Sequence, residues 1–155
     1  MLIRALVAAL HYLALALGFG SVLVRGIRLR DLARGERSER VLASLFRADA
    51  LWGAAAGLWV ATGLVRVFAG LEKVSAFYLG NGFFYVKMSL FLLVVLLEIF
   101  PMVTFIRWRR ARRQAKTPWE TAPLSRLVRL NDLELALVVA IVFVATLMAR
   151  GAWLF

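Results

Sequence analysis

The chain has 155 residues, of which 63% are hydrophobic, with a net charge of +11 and a mean hydropathy of +0.80. That apolar excess excludes an ordinary soluble domain. The absence of cysteine excludes disulfides, iron–sulfur clusters and covalently attached haem, and a single histidine excludes a zinc site built from several imidazoles of one chain.

Four apolar segments, each about 20 residues long, carry the length of membrane-crossing helices. The first covers residues 3–24 and is uncharged from 5 to 24 apart from its one histidine, His11. Its length fits a retained helix rather than a cleaved leader. The second covers 48–71, with Asp49 and Arg66 close to its ends. Gly53-Ala54-Ala55-Ala56-Gly57 within it has small-xxx-small spacing, so Gly53 and Gly57 are read as helix packing, either within the bundle or between copies in a homo-oligomer. The third covers 83–106 and holds Lys87, Glu98 and Pro101; Pro101 predicts a bend. The fourth covers 133–154, with Glu134 and Arg150 near its ends. The predicted fold is therefore all-α, a four-helix transmembrane bundle in one domain.

The connections differ in charge. Seven arginines lie between Arg25 and Arg47, and seven more with Lys116 lie between Arg107 and Asp132. The middle connection has only Glu72 and Lys73. The positive-inside rule then places the first and third loops in the cytoplasm and both termini outside. A net charge this basic would point to nucleic acid in a soluble protein. Here it flanks apolar runs, which favours the bilayer and anionic lipid. Leu79-Gly80-Asn81-Gly82 reads as a turn, and Thr117-Pro118-Trp119-Glu120 as the capped start of a short surface helix. Trp108 and Trp153 fall at the two interfacial levels.

Ionisable groups inside such spans mark function. With this topology His11 lies roughly 12 Å below the outer end of its helix and Lys87 roughly 6 Å below the outer end of its own. Both belong to the outer half of the bilayer. Lys87 and Glu98 share a helix face with Phe91 and Val94 between them, which makes Glu98 a candidate relay group with Arg25 as a candidate partner. Ala8, Ala14, Leu15 and Gly18 flank His11. They serve either close helix packing or a slot for a flat ligand. Tyr12 and Tyr85 are candidate partners for the imidazole, and snorkelling to the outer interface is the plain alternative for Lys87. Asp49 and Glu134 are read as carboxylates that begin helices beside many arginines.

Phe84-Tyr85-Val86-Lys87-Met88, Phe100-Pro101, Phe105-Ile106-Arg107-Trp108-Arg109 and Met148-Ala149-Arg150-Gly151 resemble an uncharacterised family of bacterial four-helix integral membrane proteins. Ala9-Leu10-His11, Gly57-Leu58-Trp59 and Tyr85-Val86-Lys87 are similar, more distantly, to motifs of the HemJ-type protoporphyrinogen oxidases and the copper-resistance protein D-like membrane proteins. The first resemblance implies a multi-pass protein of the bacterial inner membrane. The second implies haem b, with His11 as the axial ligand of the iron and Lys87 as second ligand or propionate partner. It also opens a redox step of the HemJ type. A further histidine of that pattern is replaced here by Glu98, so bis-histidine ligation within one chain is out of reach. Two other classes fit the same residues: proton, ion or metal transport through His11, Lys87 and Glu98, and an accessory membrane subunit.

Overall fold

The computed structural model describes residues 1–70, 73–114, 116–120 and 123–153. Helix α1 covers Leu2–Ala33, α2 Glu39–Phe68, the short α3 Ser75–Leu79, α4 Gly82–Arg112 and α5 Leu124–Ala149, with a 3-10 turn at Pro118–Glu120. The four long helices are each long and apolar enough to cross a membrane. The described residues are otherwise turns and short connections apart from one isolated bridge residue.

The predicted spans are the apolar parts of longer helices. Apolar length fixes what a bilayer can cover, whereas a helix continues until its backbone is stopped. Helix α1 therefore runs through Arg25 to Ala33 and ends just before Gly35, whose φ of 94° suits glycine. Ser38 starts α2, its hydroxyl accepting from the Val41 amide at 3.3 Å. Helix α5 begins at Leu124, well before the predicted 133, and ends at Ala149 ahead of a turn at Gly151 (φ 76°). The predicted ends at Leu71 and Leu154 lie outside the described residues.

Asn81 starts α4 as the turn motif predicts, accepting from the Phe83 amide at 2.9 Å. Its amide also donates to the Ala152 carbonyl at 3.0 Å, tying the C-terminal segment to the head of α4. The surface helix expected at Thr117 shortens to the single 3-10 turn, closed by the Glu120 amide on the Thr117 carbonyl at 3.1 Å. Helix α4 continues unbroken through Pro101.

Helix α1 packs along α2 and also against α5, and α5 packs against α4, while α2 and α4 meet at few points. Three apolar clusters fill the interior. One at the arginine-rich end joins Leu29, Leu42, Leu45, Phe105, Trp108 and Leu127. A central one joins Val22, Trp52, Val94, Val138 and Ile141, and a third at the opposite end joins Val67, Tyr78 and Met148. Trp108 is buried among these side chains, against Phe105 and Trp119. Trp153 is exposed.

Gly53 and Gly57 do not line a seam inside the bundle. Both are exposed, and a Cβ on either would meet nothing within 4 Å. The residues of α1 and α2 that pack closely are instead Gly18, Trp52 and Ala55. A Cβ on Gly18 would lie 3.1 Å from the Trp52 ring.

Candidate functional site

The polar interior is organised around Arg25, whose side chain is wholly buried. A buried guanidinium is stable only when charge and hydrogen bonds both answer it. Here every long helix supplies a group. From α4, Glu98 accepts from Nη1 with both oxygens, at 2.8 and 3.0 Å. From α5, Glu134 Oε2 accepts from Nη2, and Asn131 Oδ1 accepts from Nε at 2.8 Å. From α2, Asp49 lies 3.6 Å from Nη1 and pairs at 2.6 Å with Arg109 of α4. Asn131 uses its remaining amide to donate to the Val22 carbonyl of α1 at 3.2 Å.

Two of these carboxylates stand elsewhere on their helices than the sequence reading placed them. Asp49 and Glu134 do not begin helices: each lies ten residues into α2 or α5. Neither is near the unpaired amides of a helix N-terminus, so their compensation comes from Arg25 and Arg109. Asn131 was not singled out from the sequence. Its signal is spacing, since Asn131 and Glu134 are three residues apart and share the face of α5 turned to Arg25.

The predicted Glu98–Arg25 pair is present. His11 and Lys87 belong to a separate region nearer the other end of the bundle. His11 is half-buried, with Nδ1 2.9 Å from Thr62 Oγ1 and its ring edge-on to Tyr12 at 6.3 Å. The Thr62 hydroxyl gives its one proton to the Leu58 carbonyl at 2.7 Å, which leaves its oxygen to accept and makes Nδ1 the donor. The imidazole lies 5.8 Å from the Trp59 ring, and Trp59 lies 6.1 Å from Phe91, one turn beyond Lys87. The Lys87 ammonium is 5.3 Å above the Phe84 ring.

The implied haem can be tested against this geometry. The slot on the His11 face of α1 is lined by Ala14, Leu15, Gly18, Trp52, Ala55, Trp59 and Val138, and is too narrow to admit a water molecule. Ligand pockets run to roughly 300–1,000 Å³. The two indoles fill the space that the small residues of α1 leave, so of the two readings of that face, packing is the one observed. With the helices so arranged, the residues around His11 do not fit a macrocycle. Among the described residues no group of three or more histidine or acidic side chains is placed to hold a metal ion.

Residues 3–152 match the DUF2214 family of predicted membrane proteins, and the chain belongs to that family. No curated protein and no solved structure matches it.

Proposed function

We propose that this protein handles protons within the membrane, as a relay or transporter, with the Arg25 cluster as its working centre. One observation carries the reading: three carboxylates and two guanidiniums from all four long helices meet in an otherwise apolar interior. Charged groups buried in this way are costly, and in membrane proteins they commonly mark proton or ion paths. The cluster also has a route outward. Glu134 is fully buried, Glu98 is 19% exposed, and Arg109, at the end of the chain of pairs, is 37% exposed. By the positive-inside rule this end faces the cytoplasm of a bacterium, and the unpaired arginines around it, such as Arg40, Arg47 and Arg110, favour anionic lipid. His11 and Lys87 are then the polar groups of the outer half.

The test is proton uptake into liposomes that hold a trapped pH-sensitive dye, driven by a potassium diffusion potential. Uptake above protein-free vesicles, lost in Glu98→Gln, is the expected result. Equal uptake with and without the protein would refute the reading. Haem b on His11, with Lys87 on its second face, is the alternative reading. It needs Trp52 and Trp59 to leave the slot, and it predicts a coloured protein whose Soret band disappears in His11→Ala.

A further inference from the structure

Glu98 and Glu134 share one guanidinium. Arg25 Nη1 serves both oxygens of Glu98 and Nη2 serves Glu134 Oε2. Glu134 Oε1 is left buried with no hydrogen-bond partner among the described residues. The two terminal nitrogens of one guanidinium thus hold the carboxyl groups of Glu98 and Glu134 side by side, and two carboxyl groups can hydrogen-bond each other only if one carries a proton.

No described group donates to that oxygen. The Asn131 amide gives a hydrogen to the Val22 carbonyl, and Arg25 gives Nε to Asn131, Nη1 to Glu98 and Nη2 to Glu134 Oε2. On the α2 side stands Asp49, an acceptor, which is itself neutralised by Arg109. Three carboxylates thus face two guanidiniums, and the uncompensated charge falls on the most buried of them. Leaving an ion in such a place without a partner costs several kcal/mol, whereas one proton held between two carboxyl groups removes the cost.

We infer that Glu98 and Glu134 bind a single proton between them, carried on Glu134 Oε1 and directed at Glu98. The ligand of the site is a proton from water. Binding adds one proton at Glu134 Oε1 by way of the part-exposed Glu98, and release returns it by the same route. Arg25 stays charged and hydrogen-bonded throughout, positioning both carboxyl groups. The site is read from geometry, and only its use in transport rests on the function proposed above.

Infrared spectroscopy of the protein in lipid bilayers tests this directly. The expected result is a protonated-carboxyl band near neutral pH that shifts in heavy water. It also shifts when glutamate, but not aspartate, carries a ¹³C carboxyl label, an assignment that needs no variant. The band disappears in Glu134→Gln and in Glu98→Gln and persists in Asp49→Asn. Either single glutamine leaves one carboxylate on Arg25 and melts near the wild type, while the double variant melts clearly lower. No glutamate-derived band near neutral pH would overturn the inference, as would a band that survives both single variants. A band without proton flux in liposomes leaves the shared proton standing and ends the transport reading. Flux without the band does the reverse.

Discussion

Gly26 gives the sharpest test of how the charged centre is built. A methyl group at this position would lie 2.5 Å from Asn131 Nδ2 and 3.1 Å from Arg30 Nη1. Asn131 is 2% exposed and cannot swing into solvent. Gly26→Ala therefore pushes Asn131 off both its partners, Arg25 Nε at 2.8 Å and the Val22 carbonyl at 3.2 Å. Hydrogen bonds between membrane helices average about 0.6 kcal/mol and reach about 1.7, and the bond to the guanidinium belongs at the upper end. Overpacking adds about 1–3 kcal/mol, and the better helix propensity of alanine returns up to about 1. The net loss is about 3 kcal/mol, on the order of a hundredfold shift in the unfolding equilibrium. Gly57→Ala is the control, because its methyl meets nothing within 4 Å and should stay within about 0.5 kcal/mol of wild type. Reversible unfolding in mixed dodecyl sulfate and dodecyl maltoside micelles, followed by helical circular dichroism, measures both. Equal midpoints for the two variants would refute the packing of Asn131 over Gly26.

Two further substitutions probe the opposite end. Gly82→Ala brings a methyl to 2.4 Å from Trp153. It should release the C-terminal turn, whose Trp153 carbonyl accepts from the Gly82 amide at 3.0 Å; faster carboxypeptidase trimming, read by mass spectrometry, is the expected outcome, and an unchanged rate counts against the latch. Thr62→Val removes the acceptor of His11 Nδ1. It should cost about 0.6 kcal/mol and change the ring-nitrogen shifts of His11 in nitrogen-15 spectra, whereas unchanged shifts would show that the hydroxyl does not set the tautomer.

The fold class, the four spans and the contrast between basic and nearly uncharged loops were legible because each follows from composition over long windows. The Glu98–Arg25 pair was legible too, since a carboxylate deep in an apolar run needs a cation. Asp49 and Glu134 were misplaced for one physical reason. A span is bounded by where charge begins, so a carboxylate at the edge of an apolar run looks like the first turn of a helix. In fact α2 and α5 each extend nine residues beyond the predicted span limits of 48 and 133, from Glu39 and Leu124. That extension carries Asp49 and Glu134 into the helix interior. Gly53 and Gly57 misled in the opposite way, because spacing of small residues shows that a face can be approached closely without saying what approaches it. Two glycines that close packing requires are Gly18 beside Trp52, four residues after Ala14, and Gly26 beside Asn131, where Val22 stands four residues before.

The two polar regions are too far apart to act on one small ligand. His11 and Arg25 are fourteen residues apart on α1, roughly 21 Å. Between them Ala14, Gly18 and Val22 are buried, and the slot lined by Trp52, Ala55, Trp59 and Val138 has no room for a water molecule. On the proposed function, a proton that reaches Glu134 from the arginine-rich end meets a tightly packed apolar layer before it can approach His11. In a protein that passes protons across the bilayer such a layer prevents a leak, and passage must then be coupled to movement of α1 against α2. The charges of the cluster resist that movement while Arg25 bridges all the helices, so a change in the charge of the Glu98–Glu134 pair is the event best placed to start it. A shared proton would then serve as both the cargo and the trigger.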